Sequence, residues 1–201
     1  MSSNDSLQSK LTLEHKEEVG GLTGGFIEPT DRFTRKEILQ MVNQLSQTRV
    51  SIQVVSGNQT KQDFDVQSGL QLPHCNLSGL DLRHLWLKRA NFTGSNLEGT
   101  KFDEGRLESA TFEWANLRGA RFVKADLKKA NLKNADLRGA NLEGADLQFV
   151  SLKGARLDGC NMRNVNLQFS DLGGCNWKDA DTTGADLRNC YGDNVKESKN
   201  L

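Results

Sequence analysis

Much of what this chain could be is removed by what it lacks. It has no excess charge of either sign, since 26 lysines and arginines meet 26 aspartates and glutamates. No apolar run approaches the ~20 residues of a membrane span, and no signal-peptide core opens the chain. These absences predict a cytoplasmic or nuclear protein with no membrane contact. Among the four cysteines, Cys75, Cys160, Cys175 and Cys190, there is no CxxC pair, so the usual zinc spacing is missing. The three histidines, His15, His74 and His84, have no nucleophile or orienting acid at motif spacing. Walker, GxSxG, HExxH and EF-hand patterns are all absent. The expectation is therefore no enzyme, no cofactor and no metal.

What is present is a period. From Cys75 to Cys190 the chain repeats every five residues without an insertion. Each unit has a small residue, a polar residue (usually Asp or Asn), a large apolar residue and two mostly polar residues. Ala125-Asp126-Leu127, Ala130-Asn131-Leu132 and Ala135-Asp136-Leu137 show it plainly. The large column runs from Leu77 to Leu187 and breaks only at Thr182. A helix cannot use this spacing: five residues advance about 500°, which scatters the leucines around its axis. Short extended segments can, because residues i and i+2 share a face. Small and large residues therefore both point inward. Gly at the last position of many units supplies turns, and the Asp and Asn residues before each leucine suit turn hydrogen bonding. The four cysteines all fall in the small column and act there as alanine substitutes. Plain core thiols suggest a reducing compartment. Self-similarity at a fixed short period makes a solenoid.

Tandem A-(D/N)-L-x-x units resemble the pentapeptide-repeat family. The resemblance implies an all-β, right-handed, quadrilateral β-helix with four units per coil. Its opening stretch is most similar to the repeat region of eukaryotic BTB-domain adaptors. That likeness rests on Leu77-Ser78-Gly79-Leu80-Asp81-Leu82-Arg83, on Lys88-Arg89-Ala90-Asn91 and on Thr34-Arg35-Lys36-Glu37. Those adaptors recruit a cullin-type ubiquitin ligase through a BTB domain, which is not present in this sequence. The resemblance also implies an alternative, because some bacterial members mimic DNA and bind type II topoisomerases. Their rods are acidic along one surface, whereas this one is neutral overall with its lysines mid-rod.

Four units per coil would put residues twenty apart one above the other, about 4.8 Å away. Seven opposite-charge pairs fit that offset: Glu98–Arg118, Glu104–Lys124, Glu108–Lys128, Glu113–Lys133, Arg138–Asp158, Asp158–Lys178 and Glu143–Arg163. Phe92 would lie under Phe112, and Phe102 under Phe122. The basic belt of Arg118, Arg121, Lys124, Lys128, Lys129, Lys133 and Arg138 lies above an acidic coil with Glu98, Asp103, Glu104, Glu108 and Glu113. Direct nucleic-acid binding is therefore not expected. Roughly 23 units make a rod on the order of 25–30 Å long.

The flanks divide the remainder. Residues 1–30 read as a disordered leader. Residues 31–70 hold a capping helix over about 34–48, opened by the Thr34-Arg35-Lys36-Glu37 capping box, and then a small hairpin over 50–66. Leu80 and Leu85 replace the small residue in the first coil and mark where the helix docks. The repeat spans 71–192, and 193–201 is a polar tail. No dimerisation helix is evident, so a monomer is expected.

The outward aromatics are the candidate site. Gln148-Phe149 and Gln168-Phe169 lie twenty apart, so their rings should stack on one outer side. Trp86 and Trp114 also point outward. Grouped exposed aromatics suggest a contact for a protein partner. The function read from sequence is a non-catalytic scaffold or protein-interaction module. The alternative is inhibition of a nucleic-acid enzyme by surface mimicry.

Overall fold

The computed structural model describes residues 33–42 and 69–193. The leader, the linking hairpin, the second half of the expected helix and most of the tail lie outside the described residues.

The repeat builds a four-sided coil. Every bridge is parallel and joins residues twenty apart, from Gln71–Asn91 to Asp171–Tyr191. Each five-residue unit makes one side and one corner. One unit shows the whole pattern. The amide of Leu127 donates to the Asp146 carbonyl of the next coil at 2.8 Å, and Lys129 to Gln148 at 2.9 Å. Asp146 donates back to Ala125 at 3.0 Å, and Ala130 closes the corner onto Leu127 at 2.9 Å. Nearly all backbone groups are thus paired between coils or within the turn, which a buried repeat requires.

The corner explains the fifth position. It takes a positive φ in every unit, from His74 at 57° to Asn189 at 60°. With the carbonyl-to-amide bond across it, this is a type II turn. Glycine adopts this conformation without strain, as at Gly139, where an added Cβ would meet nothing within 4 Å. Fourteen corners nevertheless carry other residues. Where the residue before the large one is Asn or Asp, its side chain caps the same corner. The Asn131 Oδ1, for example, accepts the Lys133 amide at 3.1 Å and the Asp171 Oδ1 the Gly173 amide at 2.9 Å.

The two inward columns form one core. Every large residue from Leu72 to Leu172 is buried, as are most of the small ones. Phe92 stacks on Phe112 at 5.1 Å and Phe102 on Phe122 at 4.9 Å, with edge-on contacts between the two columns. Polar members of the small column stay buried because they bond downward. The hydroxyls of Ser95, Thr100 and Ser170 donate to the carbonyls of Leu72, Leu77 and Leu147, at 2.6, 2.8 and 2.7 Å. The Cys160 thiol does the same to Leu137 at 2.9 Å. No buried side-chain polar atom lacks a partner among the described residues.

All four cysteines are reduced thiols. Burial pushes the Cys160 thiol up to about 12 and the Cys175 thiol up to about 11. In the unfolded chain each ionises near its ordinary value of 9.0. Above that pH the folded state holds protons that the unfolded state has lost, so stability falls as pH rises from about 9 toward 12. Below about pH 9 these thiols make no pH-dependent contribution. The double substitution Cys160→Ala, Cys175→Ala should flatten this alkaline decline, by on the order of 1 kcal/mol per pH unit per thiol. Urea midpoints measured from pH 7 to 11 provide the check, and equal slopes for both proteins would contradict the assigned burial.

One helix, α1, lies among the described residues and covers 35–42 there. Thr34 and Glu37 form the expected capping box: the Thr34 amide donates to the Glu37 carboxylate at 2.7 Å, and the Glu37 amide to Thr34 Oγ1 at 3.3 Å. Phe33, Ile38 and Met41 are buried in the same core as the first coil, together with Leu85, and Leu80 packs against it. The Arg35 guanidinium fastens the helix by donating to the Asp81 backbone carbonyl and lying 3.3 Å from its carboxylate. The two bulky residues of the first coil thus mark the docking side.

The charge pairing follows the twenty-residue rule of the backbone only in part. Of the seven expected pairs, Glu113–Lys133 closes within 4 Å, at 3.7 Å. Glu108 takes Lys88 below it at 2.8 Å, and Lys128 reaches Asp146 at 2.9 Å, eighteen residues on. Arg163 takes Asp181 at 3.2 Å, while Glu143 accepts from Asn161. Long side chains leave the corners at a slant, so an outer neighbour is set by side-chain reach as well as by vertical register.

Candidate interaction surface

The coil has four sides, named here by their large residues: side one carries Leu77, side two Leu82, side three Leu87 and side four Phe92. Phe149 and Phe169 stand on the corner between sides three and four. Their rings stack at 5.1 Å and 6° apart, and they are 52% and 43% exposed. Both sit at positive φ, 60° and 62°. A bulky residue in that conformation costs roughly 1–2 kcal/mol relative to an ordinary backbone, and glycine would avoid the cost. The strain is borne by two rings that water still reaches.

Gln148 and Gln168 precede them on the same corner. Gln168 Nε2 donates to the Asp186 carboxylate at 2.6 Å and Gln148 Nε2 to Asp146 at 3.3 Å. These bonds turn both amides toward side three and leave the rings on the side-four edge. Trp114 stands at the opposite edge of side four, at φ 61° and 64% exposed. Trp86 is elsewhere. It lies on side three, 68% exposed, with the Arg106 guanidinium 4.3 Å over its ring. The structure therefore brings Phe149, Phe169 and Trp114 to the edges of side four, turns the Gln148 and Gln168 amides toward side three, and separates Trp86, which is occupied by a cation–π contact.

Side four has its own character. Its outward row is Gln71, Asn91, Thr111, Asn131, Ser151, Asp171 and Tyr191, with one charge among seven residues. Tyr191, 60% exposed, bridges Asp171 and donates its amide to Ser170, the neighbour of Phe169. Sequence reasoning missed Tyr191 because it carries the regular five-residue pattern only as far as Cys190. Counting twenty from Asp171 finds it.

Among the described residues the acidic side chains do not form a bare stripe. Asp126, Asp146 and Asp186 share the outward row of side three, but Lys128 lies 2.9 Å from Asp146 and 3.5 Å from Asp126, and Arg188 pairs with Asp186 at 2.6 Å. The Arg188 guanidinium and the Gln168 amide hold the Asp186 carboxyl well below the usual carboxylate range. On side two, Arg121 takes Asp103 at 3.1 Å. Among the described residues no group of three or more His, Cys, Asp or Glu could hold a metal ion, and no helix is long and apolar enough to cross a membrane.

The family model described as pentapeptide repeats matches in eight copies over residues 75–113, 106–144, 125–164, 140–176 and 160–191. No curated protein matches the chain. Solved structures do. A pentapeptide repeat protein of the Arabidopsis thaliana thylakoid lumen is 33% identical, with 49% of this chain and 68% of that one covered and a TM-score of 0.48. HetL, involved in heterocyst differentiation regulation in the cyanobacterium Nostoc, is 21% identical over 79% of this chain and 97% of its own, with a TM-score of 0.34. QnrB1, a plasmid-mediated fluoroquinolone resistance protein, is 23% identical over 65% of this chain and 76% of its own, with a TM-score of 0.26.

Proposed function

The chain belongs to the pentapeptide-repeat family, and from that premise we propose that it is a non-catalytic scaffold whose right-handed rod presents side four to a protein partner. The observation that carries this reading is the pair of stacked rings, Phe149 and Phe169, held exposed in a strained backbone conformation. Exposed aromatics beside a central row low in charge, with cations confined to the corners, have the composition of an interface with a polar rim. Trp114 stands on the other edge of the same side, and Gln148 and Gln168 border it from side three. Reduced core thiols favour a reducing compartment such as the cytoplasm, and the resemblance of α1 and the first coil to BTB-domain adaptors favours an adaptor role.

The substitution pair Phe149→Ala, Phe169→Ala tests it. Both side chains are outside the core, so unfolding stability should change by no more than about 1 kcal/mol, the scale of one stacked pair. Affinity purification with mass spectrometry should recover partners with the wild type and lose them with the variant. Recovery of the same partners by both proteins would remove this corner from the interface.

A second reading is inhibition of a nucleic-acid enzyme, such as a type II topoisomerase, by surface mimicry. The file of Asp126, Asp146 and Asp186 on side three favours it. Lys128 and Arg188 neutralise that file at close range, which is why the scaffold is preferred. A gyrase supercoiling assay separates the two, since a mimic inhibits at micromolar concentration and a scaffold does not.

A further inference from the structure

We infer that the upper half of side four recognises an acidic segment carrying one large apolar residue. This rests on the scaffold reading and names the chemistry of its partner. Three lysines surround the exposed rings in adjoining coils. Lys129 lies one coil below Phe149 on the same corner, and its amide bonds the Gln148 carbonyl. Lys133 and Lys153 occupy the opposite corner in the same two coils, one above the other. All three are exposed. No ion pair engages Lys129 or Lys153 among the described residues, and Lys133 meets Glu113 only at 3.7 Å.

Elsewhere on the rod, several cations that follow the large residue are satisfied at close range, though Arg118 and Lys178 have no ion pair among the described residues. Lys88 takes Glu108, Lys128 takes Asp146, Arg138 takes Asp136 and Arg188 takes Asp186. The floor between the two corners is small and polar, made by Asn131 and Ser151, and its one carboxylate, Asp171, is bonded to the Gly173 amide. Like charges stacked on neighbouring coils oppose folding. Lys133 under Lys153 is such a pair, and a carboxylate from a partner would relieve it. The apolar end is built by Phe149, Phe169 and Tyr191, one coil apart in succession. From Tyr191 down to Lys129 is three coil steps, about 14 Å, which an extended segment crosses in four or five residues. The segment thus needs an aromatic or large aliphatic residue at one end and carboxylates three to five residues away.

The probe is a fluorescein-labelled peptide, Trp-Gly-Ser-Glu-Glu-Glu, with a counterpart in which glutamines replace the three glutamates. Fluorescence anisotropy against the full chain should show binding of the acidic peptide below millimolar concentration. It should weaken at least tenfold with the glutamine peptide, and as much with Lys129→Gln, Lys153→Gln. Binding should also fall as salt rises from 50 to 500 mM, because exposed charges are screened. No binding at 1 mM, or equal binding of both peptides, overturns the inference. Loss of charge dependence with retained sensitivity to Phe149→Ala, Phe169→Ala refutes the acidic partner while sparing the aromatic contact. Dependence on the lysines without dependence on the rings removes the apolar half of the proposal and the scaffold corner with it. Circular dichroism of each variant verifies that the coil is intact, and exposed Lys→Gln changes leave it so.

Discussion

Replacing Leu132 by aspartate is expected to leave the chain unable to fold. Leu132 has no exposed surface and sits mid-rod on side four, between Phe112 below and Leu152 above. Its amide and the backbone around it are locked to Ser151 in the next coil at 2.8 Å, so the side chain cannot swing to solvent without breaking the ladder. The inward column there is wholly apolar, and no cation faces it. Loss of the leucine costs about 2–5 kcal/mol. The carboxyl must then be protonated or solvated within that column, at several kcal/mol more. Together these match the ~5–15 kcal/mol that holds a domain folded. The conservative partner, Leu132→Met, preserves volume and should cost less than about 1.5 kcal/mol. Circular dichroism and gel filtration read both variants. A soluble Leu132→Asp protein with the wild-type spectrum would mean that the large column does not face inward.

Most of the architecture was legible because the period is so short. Once five residues exclude a helix, the small and large columns must line an interior, and the bridges at a spacing of twenty follow once the family resemblance supplies four sides per coil. The Asn and Asp column was readable for the same reason, since each side chain bonds an amide two residues ahead. The charge pairs were not. Lys128 turns to Asp146 and Asp126 while Glu108 takes Lys88, since a register fixes where a Cα lies but not where a four-carbon chain ends. The candidate site was half legible. Stacking of Phe149 on Phe169 follows from spacing alone. That Trp114 and Tyr191 share side four while Trp86 does not requires assigning every residue to one of four sides, and Arg106 over Trp86 depends on rotamer. The strain at the fifth position was hidden too, because fourteen corners use residues other than glycine.

Phe112 and Phe102 should be the two most costly rings to remove from the core, since each touches the three other phenylalanines of the cluster. Phe112 lies deeper along the rod. It stacks on Phe92 at 5.1 Å and meets Phe102 and Phe122 edge-on, both at 5.8 Å. Phe92 and Phe112 belong to side four, Phe102 and Phe122 to side two, so these contacts cross the interior and tie opposite sides together. Phe112→Ala empties that crossing. The flanking alanines, Ala110 and Ala115, are too short to collapse into the space. The expected loss is about 3–5 kcal/mol by urea denaturation. Phe112→Leu supplies the residue that the same column uses at Leu132 and Leu152, and should lose less. It still forfeits ring geometry, so the cycle of Phe112→Leu with Phe122→Leu should return a coupling of about 0.5–1.5 kcal/mol. A solenoid spreads such damage to nearest neighbours first. Hydrogen exchange should therefore loosen the coils holding Phe92 to Leu132 while the amides near Leu157 keep their protection. Uniform loosening along the whole rod, or a cost below about 1 kcal/mol for Phe112→Ala, would show that the two ring columns do not bind the opposite sides to each other.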